Sequence, residues 1–251
     1  MALTATRGPR STRIYRSNTP AGPLQLTLRK GSQNLMLDHG RVVLTADAEG
    51  RPFTLWRAQT LWRRGYDGRC QVISRGDEWQ RRRAVLAGDE FLVEWRRAVS
   101  GLGDTLGAIE DTDDRARLAS MLEPDELRLA AEAQRYRGLY RGLGILPPDA
   151  YLAAVVQLVE GCPYNRCTFC TFYRHRRYRI RRIDELERHA RAVKAFLGRA
   201  LEMRRSVFLA DADALSAPDA VLLATLDRCR RIFDERPVDA FASSFTRKGR
   251  T

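Results

Sequence analysis

"LAAVVQLVEGCPYNRCTFC", residues 152–170, sets a continuous apolar run directly against three cysteines. A run of strand length with so little polar interruption is the pattern of a β-strand covered on both faces, as the strands of parallel sheets are. The cysteines then follow as Cys162-x4-Cys167-x2-Cys170. Two cysteines separated by two residues can turn both thiols toward one metal or toward adjacent irons, and thiolate donors suit soft centres, chiefly zinc and iron–sulfur clusters. A loop that leaves a buried parallel strand sits at the carboxyl edge of its sheet, the edge at which α/β folds bind ligands.

Downstream, strand and helix signals alternate. "RIDELERHARAVKAFLGRALE" (182–202) reads as a helix with Leu186, Ala190, Val193, Ala195 and Leu197 available for an apolar face. "SVFLAD" (206–211) is the next strand, "APDAVLLATLDRCRRIF" (217–233) the next helix, and "VDAFASSF" (238–245) a third strand. The β-α-β-α-β order predicts a parallel sheet with right-handed crossovers, open or closing toward a barrel.

Upstream the pattern differs. Residues 1–23 are punctuated by Pro and Gly, and residues 1–37 carry no acidic side chain, so 1–23 reads as a disordered basic arm. Residues 24–75 read as a small antiparallel sheet. "RVVLTADAEGRPFTLW" (41–56) sets Ala-Glu-Gly between two β-rich runs, and "YDGRCQVIS" (66–74) carries an Asp-Gly turn into another strand. Residues 76–149 read as helical. "DEWQRRRAVLAGDEFLVEWRRAV" (77–99) places Trp79, Ala84, Leu86, Phe91, Leu92 and Trp95 at broadly helical intervals. A further helix starts at Pro124, with Asp125 and Glu126 at its positive end, and runs to Gly142 or Gly144. All four tryptophans, Trp56, Trp62, Trp79 and Trp95, fall in the first half and are expected to fill its core.

The chain of 251 residues carries a net charge of +13, and its hydrophobic fraction of 44% is that of a folded, soluble protein. Of its 44 basic residues only Lys30, Lys194 and Lys248 are lysine, and the arginines are spread along the whole chain rather than gathered in one stripe. That spread argues against a dedicated nucleic-acid surface, although it leaves nucleic acid open as a partner. No apolar run approaches the roughly 18–20 residues that span a bilayer, and no secretory h-region is present, so no membrane partner and a cytoplasmic location are expected. Five cysteines, three of them in one loop, make a poor disulfide framework and favour a metal site in a reducing compartment. Three clustered thiols fill three corners of a four-iron cube and leave the fourth iron open to a small molecule.

The stretch "VEGCPYNRCTFC" (159–170), with Phe169 immediately before the last cysteine, resembles the radical S-adenosylmethionine superfamily. It is most similar to a subgroup whose loop reads much like "GCPYNRCTFC", followed by "YRIR" (178–181) and "VFLADADAL" (207–215). In the superfamily's commonest version the first two cysteines stand three residues apart; here four residues intervene. The resemblance implies a chain holding the first half of a partial (β/α)6 TIM-like barrel over residues 150–251. It implies that Cys162, Cys167 and Cys170 bind a [4Fe–4S] cluster whose open iron takes S-adenosylmethionine. Reduction by a low-potential donor such as flavodoxin or ferredoxin would cleave the sulfonium to a 5′-deoxyadenosyl radical, which abstracts hydrogen from an unknown substrate. Phe169 would lie near the adenine. Asp211 and Asp213 stand where the superfamily has a Gly-Gly-Glu-like segment that receives the cofactor's amino group; this chain has no Gly-Gly-Glu there, and helix capping by Asp213 or Ser216 is the alternative. Ser243, with Ser244, would reach the ribose or carboxylate, and Arg179, with Arg181, would neutralise the cluster or the carboxylate.

Two other readings of the residues remain open. Cys162, Cys167 and Cys170 with His175 offer a Cys3His zinc tetrahedron, which beside arginines suggests a nucleic-acid module. The spacing C-x4-C-x2-C with a distant cysteine, here Cys229, is also that of plant-type ferredoxins, which are electron carriers. A full superfamily barrel needs about six β/α units of roughly 30 residues each. Only three parallel strands are legible here, so the resemblance implies a truncated chain.

Overall fold

Leu24, Leu26 and Leu28 are separated by Gln25 and Thr27, and this alternation builds a strand with one face turned to a core. The same alternation recurs through the first half of the chain in a computed structural model that describes residues 3–9, 12–75, 81–86, 88–144 and 146–240. The chain divides into two compact units, residues 1–136 and 137–251.

The first unit is a nine-stranded antiparallel meander: β1 (Thr4–Gly8), β2 (Thr12–Thr19), β3 (Gly22–Leu28), β4 (Ser32–Leu37), β5 (Val42–Asp47), β6 (Pro52–Arg57), β7 (Thr60–Arg64), β8 (Cys70–Arg75) and β9 (Arg81–Leu86). Each strand pairs with the next, and the register shifts once, between Thr45 and Ala46. Helices α1 (Gly88–Val99), α2 (Thr112–Leu122) and α3 (Glu126–Leu139) follow. Leu26, Leu35, Leu44 and Leu55 share a core with Phe91, Trp95, Leu118, Met121 and Leu129, and the Trp95 indole N–H donates to the Met121 carbonyl at 2.9 Å. Of the tryptophans expected in this core, Trp95 is buried, Trp62 packs against it half-buried, Trp56 is exposed, and Trp79 lies outside the described residues.

These strands correct three expectations. Within the expected disordered arm of residues 1–23, Thr4–Gly8 and Thr12–Thr19 are the strands β1 and β2, and in β2 Tyr15 and Ser17 turn inward while Arg16 turns out. The sheet is not small and does not end at residue 75. Residues 81–86 are strand rather than helix, since pairing with β8 overrides their helical spacing.

The second unit contains β10 (Ala153–Gln157), β13 (Ser206–Ala210) and β14 (Val238–Ala240), which pair in parallel in that order. Helix α4 (Ile183–Leu197) connects the first two, and α5 (Asp219–Ile232) connects the second and third. Val155, Phe208 and Ala210 form one core with Ala150, Tyr140, Leu143 and Leu146. The alternate residues Ala154, Val156, Val207 and Leu209 are buried as well, so both faces of the sheet are covered, as its continuous apolar runs require.

The expected half of a (β/α)6 TIM-like barrel is therefore overturned. The largest element is the antiparallel sheet, helices follow it, and no barrel is closed among the described residues. Tyr140, Leu143, Leu146 and Ala150 pack against Val155, Phe208 and Ala210 of the parallel sheet. No helix of the described residues is long and apolar enough to cross a membrane.

Candidate metal and cofactor site

Strand β10 delivers the chain to a two-residue strand, β11 (Val159–Glu160), which pairs antiparallel with β12 (Arg179–Ile180). The segment between them, Gly161 to Tyr178, is thus an excursion pinned at its base, and it contains all three clustered cysteines. The pin is electrostatic as well as hydrogen-bonded. Glu160 is buried, and its carboxylate meets Arg179 at 2.9 Å and Arg181 at 3.3 Å. Arg179 also reaches Glu185 at 3.0 Å.

Inside the excursion the backbone is fixed by short-range polar contacts. Gly161 has φ +75°, and a Cβ there would stand 3.1 Å from the Arg177 carbonyl oxygen. Asn165 takes φ +47°, a conformation asparagine tolerates better than most residues. Its backbone N–H donates to the Cys162 sulfur at 3.4 Å, and its Nδ2 donates to the Tyr173 carbonyl at 2.9 Å. The Arg174 guanidinium donates to the carbonyls of Cys167 at 3.4 Å and Thr168 at 3.3 Å. Cys162, Cys167 and Cys170 are partly exposed, and none is in a disulfide.

Tyr173 ties the excursion to the sheet. Its hydroxyl donates to Asp211 Oδ1, an oxygen that also accepts from the Gly144 N–H at 3.3 Å. A Cβ on Gly144 would overlap the Tyr173 phenol, so this close approach requires glycine. Asp211 Oδ2 lies 3.4 Å from Gln157 Nε2 and 3.7 Å from Arg176. Burial pushes the Asp211 carboxyl up from its ordinary range, against the donors that favour its charged form. Gln157 is fully buried; its Oε1 accepts from the Arg141 N–H at 3.1 Å and from Arg181 at 3.2 Å. Its own N–H donates to His189 Nε2 at 3.0 Å. Burial drives His189 down to about 3, with the Arg181 charge acting the same way.

The candidate residues read from the sequence fall in distinct places. Phe169 is 80% exposed, which leaves its ring open to a planar partner. Asp211 has its oxygens committed to Tyr173, Gly144 and Gln157. Asp213 is buried; its carbonyl, not its carboxylate, receives the Ser216 hydroxyl at 2.7 Å, and the residue at the cap of α5 is Pro218. The Ser216 hydroxyl also lies 2.7 Å from that of Tyr178, which links the β13–α5 loop to the end of the excursion. Arg179 belongs to the pin. Ser243 and Ser244 lie outside the described residues. Tyr173, Gln157 and His189 went unrecognised in the sequence. One signal was present, a lone glutamine within an apolar strand, since a buried amide needs partners.

The three thiols are chemically suited to an iron–sulfur centre or to zinc. Among the described residues, however, no three His, Cys, Asp or Glu side chains are already gathered as a metal-holding group. Binding through these cysteines therefore requires the excursion to draw its thiols together. His175 is exposed and does not complete a tetrahedron. Cys229 is buried in α5, where burial pushes its thiol up to about 12, a poor state for a distant cluster ligand. Compared with models of known families, with curated proteins and with solved structures, the chain matches none.

Proposed function

We propose that the chain is a radical S-adenosylmethionine enzyme-like protein acting on an unknown substrate, with Cys162, Cys167 and Cys170 as the ligands of a [4Fe–4S] cluster. The observation that carries this reading is one of placement. Three unpaired, partly exposed thiols sit in a single excursion at the carboxyl end of a buried parallel strand. When bound and reduced, such a cluster supplies the electron that splits the sulfonium C–S bond of S-adenosylmethionine.

The chain's own residues supply position. The Glu160–Arg179 ion pair and the β11–β12 ladder hold the two ends of the excursion together. Tyr173 and Asn165 fix its interior, so the thiols need to move only within a closed loop. Phe169 offers an exposed ring on which an adenine can stack. Arg174, which clamps the Cys167 and Thr168 carbonyls, adds positive charge beside an anionic thiolate centre.

Anaerobic reconstitution with ferrous salt and sulfide, followed by iron and acid-labile sulfide analysis, tests the reading. About four irons per chain, with 5′-deoxyadenosine released from S-adenosylmethionine under reduction, is the expected result. Cys167→Ala should lose both signals while keeping its far-ultraviolet spectrum. Zinc without sulfide would replace the reading with a zinc module, and about two irons would replace it with an electron carrier.

A further inference from the structure

A cavity of about 540 Å³ opens at the base of the excursion, lined in part by the pin itself. That volume is typical of sites for small molecules. Its lining is Arg141, Glu160, Arg176, Arg177, Tyr178 and Arg179, so four guanidiniums share a wall with one carboxylate. Glu160 cannot balance them. It is already engaged by Arg179 and by the mostly buried Arg181, and Arg141 reaches it only at 3.9 Å. Arg177 makes no ion pair with any described residue.

The remaining guanidinium, Arg176, is held in place and has only a long ion pair, with Asp211. Arg176 donates to the Gly142 carbonyl and lies over the Tyr173 ring at 5.7 Å, with Asp211 3.7 Å away. The planar fork of a guanidinium matches the oxygen pair of a phosphate or carboxylate. Like charges converging on one cavity repel one another, and an oxyanion in the cavity relieves that repulsion.

We propose that this cavity binds a small oxyanion-bearing molecule, one that carries a phosphate or diphosphate group or at least two carboxylates. A nucleic acid would call for charge extended along a face, whereas this charge converges on one pocket. The site uses no thiol and needs no iron, so it stands or falls apart from the cluster.

Isothermal titration of the metal-free 251-residue chain, in a zwitterionic buffer without phosphate, tests the proposal with sodium pyrophosphate and sodium citrate as probes. Single-site binding of at least one probe is expected. Arg177→Ala and Arg141→Ala should each weaken it by about fivefold to tenfold. Arg83→Ala, which removes the same charge from the other unit, should leave it unchanged. Tighter pyrophosphate assigns the site to phosphorylated ligands, and tighter citrate to polycarboxylates. The proposal is overturned if neither probe binds at about 1 mM. Equal weakening by Arg83→Ala, insensitivity to both cavity variants, or binding of duplex DNA alone overturns it too.

Discussion

His189 shows how much one side chain can decide. It projects from α4, stands edge-on to the Tyr140 ring at 5.4 Å and accepts the Gln157 N–H through Nε2. A protonated imidazolium has no lone pair for that bond and would face Arg181 at the same time. Its ordinary value near 6.5 is therefore depressed to about 3 on folding. Above pH 6.5 the group is neutral in both folded and unfolded chains and contributes no pH dependence. As pH falls below that value the unfolded chain takes up a proton that the folded chain refuses. Stability then drops by about 1.4 kcal/mol per pH unit until both forms are protonated. Urea unfolding of the wild type and of His189→Gln, followed by circular dichroism across this window, isolates the effect. Glutamine can still accept the Gln157 N–H but does not titrate, and Asp211, whose raised carboxyl acts in the opposite sense, is common to both. Parallel pH profiles for the two proteins would refute the assignment.

At the scale of elements, the excursion depends on a two-residue ladder and on the backbone at its entrance. Gly161 is in the left-handed region, and the space its Cβ would occupy is bounded by backbone, the Arg177 carbonyl at 3.1 Å and the Tyr178 nitrogen at 3.2 Å. Gly161→Ala should thus cost about 1–3 kcal/mol locally through strain and contact together. The expected result is faster proteolysis within residues 161–178 and less iron taken up on reconstitution, with the rest of the fold kept. Unchanged proteolysis would show that the entrance is not strained. The strands β10, β13 and β14 and the helices between them were visible in the sequence, since each is specified by its own residues. The hairpin turns at Ala48-Glu49-Gly50 and Asp67-Gly68 were legible for the same reason. The first two strands were not, because Pro, Gly and a run of basic residues hid the alternation of Tyr15 and Ser17 with Arg16. Strand β9 was hidden too, because only a partner across the sheet makes "RRRAVL" extended. The arrest of the barrel expectation has that same cause. Local pattern specifies a βαβαβ order, but the packing of Tyr140, Leu143 and Leu146 against Val155 and Phe208 is a tertiary fact.

For the molecule as a whole, the decisive feature is that two cores form from different residues. The first gathers Leu26, Leu44, Leu55, Trp95 and Met121; the second gathers Val155, Phe208 and Ala210. No residue belongs to both, and every tryptophan lies in the first unit, so intrinsic fluorescence reports on that unit alone. Leu44 is fully buried at the centre of the nine-stranded sheet. Leu44→Ala should remove about 2–5 kcal/mol from the unit that contains it, through lost burial and the cavity left behind. Leu44 belongs to the first core and not to the second, so the loss is expected in the first unit. The expected outcome is a lower midpoint by tryptophan fluorescence, with native-state hydrogen exchange of the Val155, Val156 and Phe208 amides unaltered. Loss of protection at those amides in step with the fluorescence shift would mean that the chain unfolds as one cooperative body.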